Sequence, residues 1–317
     1  MNASPQPETD ADAQACICCG AIVCKSYWGV VAPFISDFVR PEAPPIVRLL
    51  ECSSCGHRFF SYRFSDSEMS RLYSGYRGRE YFNVRTRTEP WYRETTNAAN
   101  LNPEIVASRK QGLLNFLRPH LPHGREDFVV ADLGGDAGQF IPLELVSAAY
   151  VVETSDQKPV AGVKRVSAVA DISGGIDLIV CAHVLEHLPD PVSFIRQTLS
   201  SAKMAQGCLV YLEVPLEQYH ISDSMSSVGY KSYLGRLVRF RPLLVLTDFA
   251  SVLARSFLNR VFPPLIIKMH EHVSFFTPRS LEQCLRDLDF ETVEVKEEIG
   301  ASVATHQGVI RLLARRV

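Results

Sequence analysis

The chain has 317 residues and a mass of 35.4 kDa, which suits one large domain or two modules. Hydrophobic residues make up 46% and charged residues 21%, which excludes disorder, collagen and coiled coil for the chain as a whole. With 33 basic and 35 acidic residues the net charge is -2, so we expect no nucleic-acid partner. Residues 1–15 are polar and acidic and lack the features of a signal peptide, and no later run is apolar enough to span a bilayer. We therefore predict a disordered tail over residues 1–15 and a cytoplasmic protein.

Six of the nine cysteines lie near the N-terminus, and four of them form two C-x-x-C-G motifs, Cys16 to Gly20 and Cys52 to Gly56. Four thiolates suit a tetrahedral Zn²⁺ with no open position, which is a structural site. A segment of about 45 residues buries too little core to fold alone, so the metal would supply its folding energy. We predict a zinc-binding module over residues 16–62 with the ligands Cys16, Cys19, Cys52 and Cys55. Free thiols are the alternative. Cys18 or Cys24 could replace one of the four as a metal ligand, but neither replacement preserves both motifs.

Residues 63–105 are rich in tyrosine and arginine. One interpretation is a linker of short helices whose aromatic side chains pack on the next domain. The other is a lid over a substrate that carries phosphate or sugar, since arginine and aromatic residues serve both purposes. The sequence leaves these two alternatives open.

From about residue 106 to the end of the chain, helical and strand patterns alternate, which predicts an α/β domain with a doubly wound, Rossmann-like parallel sheet. The predicted strands cover residues 127–132, 149–153, 165–169, 176–181, 208–214, 292–295 and 309–314. The predicted helices cover residues 105–117, 139–148 and 191–202, with one more that starts at Pro278 after the N-cap Thr277.

Residues 218–268 interrupt this alternation and predict a helical cap inserted into the domain. The segment holds seven basic residues and two acidic ones, with apolar runs between them. One interpretation is a cap with a solvated basic face. The other is a peripheral membrane contact that meets an anionic or lipid-linked acceptor. The first is favoured because no long, regular amphipathic helix is visible in the segment.

A glycine-rich turn, residues 134–138, directly follows the first predicted strand of the domain. Asp132 precedes the turn, and Glu153 ends the next strand about 20 residues on, where a carboxylate can accept hydrogen bonds from ribose hydroxyls. The pattern D-x-G-x-D-x-G differs from the dinucleotide fingerprint G-x-G-x-x-G. It predicts close approach of the backbone to another ligand at the switch point of the sheet.

Four segments, 130–138, 152–153, 176–191 and 272–281, together resemble class I S-adenosylmethionine-dependent methyltransferases. The cysteine motifs are similar to those of a zinc-bearing subset that includes sugar C-methyltransferases, although this chain is shorter and lacks their extra C-terminal domain. Asp136 stands where the family usually has its middle glycine, and the sugar C-methyltransferases are similar in having a polar residue there. The resemblance implies cofactor-binding roles for Asp132, Gly134 and Gly138 (methionine end), Glu153 (ribose), Ala182 and His183 (pocket wall) and Asp171 (adenine).

A hydroxyl acceptor must lose a proton during methyl transfer, so a histidine or carboxylate near the methyl group is expected. The resemblance implies that Glu271 and His272 reach the acceptor. His183, Glu186 and His187 have helical spacing that places three side chains on one face. This second group has three alternatives: a structural Glu–His pair, a general base at His187 or His183, or a divalent metal site.

The sequence thus predicts an S-adenosylmethionine-dependent methyltransferase with a structural zinc. The resemblance alone suggests a sugar nucleotide or a glycan intermediate as the acceptor. The alternatives are O-methylation of a small phenolic or lipid-like acceptor, or a non-catalytic binding module that retains the fold. The oligomeric state stays open, and five other histidines show no functional pattern: His57, His120, His123, His220 and His306.

Overall fold

The computed structural model of the chain describes residues 14–121, 127–153, 157–299 and 308–317. The tail predicted over residues 1–15 lies almost wholly outside the described residues, as do His123 and His306. Within the described residues, the strands are β1 Lys25–Val31, β2 Ile46–Glu51, β3 Arg58–Phe60, β4 Phe128–Leu133, β5 Val146–Val152, β6 Val163–Val166, β7 Ile176–Ala182, β8 Met204–Pro215, β9 His220–Ile221, β10 Arg260–Val261, β11 Lys268–Met269, β12 Ser274–Phe275, β13 Phe290–Ile299 and β14 Gly308–Arg316.

The α-helices of the described residues are α1 Pro33–Phe38, α2 Asp66–Tyr73, α3 Arg79–Thr88, α4 Glu94–Asn97, α5 Pro103–Leu117, α6 Pro191–Ser201, α7 Val228–Leu237, α8 Arg241–Leu258 and α9 Pro278–Gln283. Their ends follow the sequence: Asn102 caps α5 by accepting from the Glu104 N–H, with Pro103 at the first helical position. Thr277 caps α9 in the same way by accepting from the Ser280 N–H, so the predicted start of that helix is confirmed.

A seven-stranded sheet in the order β13-β14-β8-β7-β4-β5-β6 forms the centre of the larger domain. Strands β4 to β8 are mutually parallel, whereas β14 runs antiparallel to both of its neighbours, β8 and β13, so β13 has the same direction as β8. The sheet is therefore mixed and not wholly parallel as predicted. The chain runs outward from β4 through β5 to β6 and then returns to β7 on the other side of β4. The strand order therefore reverses between β4 and β7, and the predicted doubly wound, Rossmann-like α/β fold is confirmed.

The helix predicted over residues 139–148 is wrong. The chain makes turns up to a short 3₁₀ helix at Leu143–Leu145, and β5 already begins at Val146. The glycine-rich turn takes the first five residues of the connection, 134–138, and Pro142 has no N–H for a helical hydrogen bond. The connection is too short for a crossover helix and brings the chain directly into β5.

A second sheet, in the order β11-β1-β2-β3-β12, joins the cysteine-rich segment to the strands that follow the insertion. Its apolar face packs with residues of the 63–105 segment and of the insertion into one buried cluster, which includes Phe34, Tyr81, Tyr230 and Ile267. The predicted divisions at residues 62, 105, 218 and 268 stay a prediction of domain organisation. In the structure, packing is continuous across them.

The insertion contains a regular amphipathic helix, α8, that the sequence reasoning did not find. Its inward face carries Asp248 and Ser251 among apolar residues, which obscured the periodicity in the sequence. Within the described residues, no helix combines the length and the apolar character needed to cross a bilayer.

Candidate functional site

A cavity of about 2130 Å³ opens at the carboxyl ends of β4, β5, β7 and β8. Its wall includes Asp132, Glu153 and Ala182, three residues that follow or end neighbouring parallel strands. This is the edge at which the strand order reverses, where open α/β sheets bind their ligands. Residues from the 63–105 segment and from α8 complete the wall on the opposite side.

The glycine-rich turn gives the cavity a wall of bare backbone. Gly134 has a φ of +65°, and its N–H donates to the Val152 carbonyl at 3.0 Å, which ties the turn to β5. A Cβ at Gly135 would lie 2.1 Å from Oδ2 of Asp132, so only glycine fits there. Gly138 packs against Val163 and shapes the turn from behind. The sequence reasoning omitted Gly135, because only the three-dimensional contact identifies it.

Asp132 and Glu153 share this end of the cavity, since Leu133 pairs with Val152 at the tips of β4 and β5. Burial raises the pKa of Asp132 to about 7. The Arg109 side chain opposes this shift, and the Glu153 carboxylate favours it. Asp132 therefore titrates near neutral pH and can carry a negative charge opposite a cationic ligand.

Asp171 lies away from this wall. Its side chain is exposed and accepts a hydrogen bond from the Ala168 N–H at 3.1 Å, which closes the 3₁₀ turn Val169–Asp171. Ser167 and Ala168, which precede this turn, line the cavity. The predicted adenine contact of Asp171 stays a prediction, and the neighbouring residues are nearer to the cavity.

His183 follows β7 with a φ of +58° and is fixed by two carboxylates. Its Nδ1 lies 3.4 Å from Oε1 of Glu186, and its Nε2 lies 3.1 Å from Oε1 of Glu213. Burial lowers its pKa, but these carboxylates outweigh burial and raise it overall. Glu213 is itself paired with Arg311 at 2.7 Å. His183 thus belongs to a charged network in the cavity wall, which suits positioning better than proton transfer.

His187 and His272 come together although they are far apart in the sequence. Their ring centroids are 4.6 Å apart, and both rings line the cavity. His187 donates from Nδ1 to the Glu271 carbonyl oxygen at 3.2 Å, so its Nε2 keeps a lone pair. Burial and the neighbouring His272 lower the pKa of His187. His187 is therefore neutral at neutral pH and can accept a proton.

His272 has the opposite character. Its Nδ1 lies 2.9 Å from Oε1 of Glu217. Burial lowers its pKa, but Glu217 and other nearby carboxylates raise it to about 9. His272 is then a half-buried cation at neutral pH, which suits holding an acceptor oxygen better than removing its proton. The sequence could not distinguish the two histidines, because their partners come from distant segments.

Glu271 is held in a buried ion pair beside this group. Tyr81 donates a hydrogen bond to its carboxylate, and Nη1 of Arg85 lies 3.2 Å from its Oε2. Burial opposes its charge, but Arg85 and His270 lower its pKa to about 2. A carboxylate with such a pKa is a poor base at neutral pH, so Glu271 acts here through its carbonyl oxygen, which orients His187.

Glu186, His187 and His272 can place one ligand atom each within 4.8 Å of one another, so they could hold a divalent metal. The metal alternative from the sequence used His183 as the third ligand, and the structure brings His272 there instead. Both carboxylate oxygens of Glu186 are buried and lack a hydrogen-bond partner among the described residues, although Oε1 contacts the His183 ring.

The four cysteines of the two C-x-x-C-G motifs meet at one point. The Sγ atoms of Cys16 and Cys55 are 3.7 Å apart, and those of Cys19 and Cys52 are 3.5 Å apart. All four sulfurs lie within 4.8 Å of one another. A tetrahedron with Zn–S bonds of about 2.3 Å has edges of roughly 3.8 Å, so the four thiolates fit a zinc ion.

The surroundings of the cysteines also suit a structural metal. Gly20 and Gly56 have φ values of +73° and +74°, which lets each motif turn back tightly. The Thr277 hydroxyl donates to the Cys55 carbonyl at 2.6 Å and joins the group to α9. Cys18 donates instead to the Ser280 carbonyl, and Cys24 is exposed, so neither replaces a member of the group.

A family model described as "Methyltransferase domain" matches residues 104–295. The chain belongs to this family. It is a class I S-adenosylmethionine-dependent methyltransferase, and the cavity at the switch point is the place where such a domain would hold its cofactor. No curated protein matches the chain.

Several solved methyltransferases match part of this chain in a structural comparison. Magnesium protoporphyrin IX methyltransferase from Synechocystis PCC 6803, solved with bound SAH, has a TM-score of 0.41 at 15% identity and covers 67% of this chain and 84% of its own. An S-adenosylmethionine dependent methyltransferase from Mesorhizobium loti has a TM-score of 0.37 at 13% identity, with 64% and 96% covered. One from Aquifex aeolicus has a TM-score of 0.38 at 11% identity, with 66% and 89% covered.

The methyltransferase cavity also contains charged residues that the sequence reasoning did not assign to a site. Glu213 stands within the buried apolar strand β8, and Arg311 stands within β14. A charge inside an apolar strand was a usable signal, because such a residue needs a partner in the folded protein. Arg109 lies near Asp132, but an arginine on an amphipathic helix gives no comparable signal.

Proposed function

We propose that this methyltransferase transfers a methyl group to a hydroxyl of a sugar nucleotide or a glycan intermediate. The observation that carries the proposal is the pair of histidines whose rings lie 4.6 Å apart on the wall of the cavity that also contains Asp132 and Glu153. His187 is held by a backbone carbonyl and His272 by the Glu217 carboxylate, which gives the two rings unlike character. One group can accept a proton, and the other can hold an acceptor oxygen.

The cofactor end of the cavity would use backbone and two carboxylates. S-adenosylmethionine supplies an electrophilic methyl group when it is bound. At Gly134 and Gly135 the chain offers bare backbone, and a Cβ at either position would clash with a neighbouring side chain. Glu153 would accept hydrogen bonds from the ribose hydroxyls, and ionised Asp132 would favour a cation at the methionine end.

The acceptor end would use His187 and His272. Nε2 of His187 would accept the hydroxyl proton as the acceptor oxygen bonds to the methyl carbon, whose bond to the sulfonium sulfur would break to leave S-adenosylhomocysteine. His272, held by Glu217, would donate to a neighbouring oxygen of the acceptor and fix its orientation. Removal of His187 should then lower kcat more than it changes acceptor binding.

Arg77 supports an acceptor with an anionic group. Its side chain lines the cavity, and its buried Nε and Nη1 have no hydrogen-bond partner among the described residues. Such donors suit a phosphate, which accepts several charged hydrogen bonds at once. The hydroxyl of Tyr73, also on the wall, lacks a partner in the same way and suits a sugar hydroxyl.

We also propose that Cys16, Cys19, Cys52 and Cys55 hold one structural zinc ion. The sulfur distances, the burial of three of the four cysteines and the two glycine turns support it. The site would join the N-terminal segment to α9 and the methyltransferase core, and it would stabilise the fold without taking part in the reaction.

The test is incorporation of label from methyl-labelled S-adenosylmethionine into nucleotide sugars, with small phenols as the competing class. For the acceptor found, His187→Gln should lower kcat by about a hundredfold while SAH affinity stays unchanged. Arg77→Gln should raise KM only for acceptors that carry phosphate, and His220→Gln, on an exposed histidine, is the matched control. Label in phenols alone, or full kcat in His187→Gln, would contradict the proposal.

Chelation distinguishes a divalent metal at Glu186, His187 and His272 from a general base at His187. If His187 is the base, activity should persist in EDTA while the cysteine-bound zinc is retained, as checked by metal analysis. Loss of activity in EDTA, with recovery on adding a divalent metal, would assign a metal to this group instead.

A further inference from the structure

The insertion exposes an unusual amount of apolar surface. Between residues 240 and 262, eight large hydrophobic side chains are exposed to solvent, from 38% for Phe249 to 81% for Phe257. These eight define the apolar face of the insertion: Phe240, Leu243, Leu246, Phe249, Leu253, Phe257, Leu258 and Phe262. Five of them, at positions 243, 246, 249, 253 and 257, follow helical spacing and so share one face of α8. An exposed apolar face of this kind marks a binding surface.

Helix α8 holds this face outward by anchoring its other side. Leu244, Asp248, Ser251 and Ala254 are the buried residues of the helix. Asp248 pairs with Lys268 at 2.9 Å, and the Ser251 hydroxyl accepts from the Ile266 N–H at 2.8 Å. The apolar face thus belongs to a helix that is fixed to the protein body, so it cannot turn inward without breaking these bonds.

The surroundings of the apolar face are basic. Arg236, Arg239, Arg241 and Arg260 are exposed next to it. Among the residues that the structure describes, Arg241 pairs with Asp37 and the other three form no ion pair. From residue 228 to residue 262 the only acidic residue in the sequence is Asp248, which is buried. An apolar face bordered by arginines is complementary to an anionic lipid surface.

We propose that the apolar face of the insertion docks on an anionic lipid bilayer. A second copy of this chain is the competing occupant. Two copies that met through this face would bring their own arginines together without acidic partners from the segment, which disfavours such a dimer. In the interface of an anionic bilayer the same arginines would meet lipid headgroups, while the leucines and phenylalanines would enter the acyl boundary.

The position of α8 gives the docking a consequence that rests on the proposed function. Val252, Arg255 and Ser256 of the same helix line the cavity, so the cavity wall would lie beside the bilayer. A glycan intermediate carried on a lipid would reach the histidine pair from the membrane surface. The docking itself does not depend on this consequence.

The experiment is co-sedimentation of the full chain with vesicles of phosphatidylcholine alone and of phosphatidylcholine mixed with phosphatidylglycerol. The protein should bind the anionic vesicles and release as salt is raised. The double variant Leu246→Ser, Phe257→Ser should bind at least about tenfold more weakly. Leu101→Ser, on a residue that is 76% exposed elsewhere, is the matched control and should bind like wild type.

Two further measurements keep the outcomes distinct. SAH binding by calorimetry should be the same in wild type and the double variant, which shows that the variant is folded and separates docking from the proposed reaction. Equal binding to neutral vesicles, or unchanged binding in the double variant, would overturn the proposal. So would a wild-type dimer in light scattering that the double variant converts to a monomer, since the face would then be a subunit interface.

Discussion

Replacing Asp132 by asparagine should change how the stability of this protein depends on pH. In the folded protein burial raises the pKa of Asp132 from 3.8 to about 7, so the folded state holds this proton more tightly than the unfolded chain does. Its contribution to stability is present below about pH 4 and is lost as pH rises through 7. At 1.36 kcal/mol per pKa unit, the loss between about pH 5 and about pH 8 is about 3 kcal/mol.

Asparagine cannot titrate, so Asp132→Asn removes this loss. The assay is urea unfolding of wild type and Asp132→Asn at both pH values, with Asp287→Asn, on an exposed aspartate, as the control. The quantity compared is the free energy of unfolding of wild type minus that of the variant. This difference should be about 3 kcal/mol lower at the higher pH than at the lower pH. SAM affinity should fall in the variant, because the charge opposite the cationic sulfonium is gone. An equal stability difference at both pH values would refute the reasoning from burial.

Three further predictions follow from the site. Gly135→Ala should lower SAH affinity by about tenfold or more in calorimetry, since its Cβ would push the buried Asp132 carboxylate aside, whereas Gly229→Ala, with open space around it, should bind normally. Cys52→Ser should lose the zinc found by metal analysis and lower the melting temperature, whereas Cys24→Ser should do neither; retained metal in Cys52→Ser would contradict the zinc site. The kcat/KM for the acceptor should fall as the pH rises through about 9, because His272 then loses the charge that holds the acceptor oxygen, and a flat alkaline limb would contradict that role.

The sequence was sufficient for those parts of the fold that depend on local patterns. The apolar strands and the cap at Thr277 could be read directly, because hydrophobic runs and capping residues act over a few positions. The four cysteines could be grouped from the spacing of the two motifs, and the structure brings their sulfur atoms within 4.8 Å of one another. The helix over residues 139–148 was wrong, since Pro142 and the short connection to β5 outweigh a weak helical preference.

The chemistry of the site could be predicted only in part. The sequence placed His187 and His272 in two separate groups, and only folding brings their rings to 4.6 Å. Their opposite pKa shifts depend on Glu217 and on burial, neither of which a sequence pattern records. The amphipathic face of α8 was missed because its inward side carries polar residues whose partners, such as Lys268, lie outside the helix.

The central claim is that the cavity between β4 and β7 binds the methyl donor through Glu153 and the glycine-rich turn. Calorimetry with SAH tests it most directly, using wild type, Glu153→Ala and the exposed control Glu291→Ala. We expect one site in wild type and in the control, and an affinity lower by about ten- to a hundredfold in Glu153→Ala, as for a lost hydrogen bond to a charged group. Failure of the wild-type protein to bind either SAM or SAH, or wild-type affinity in Glu153→Ala, would contradict the account.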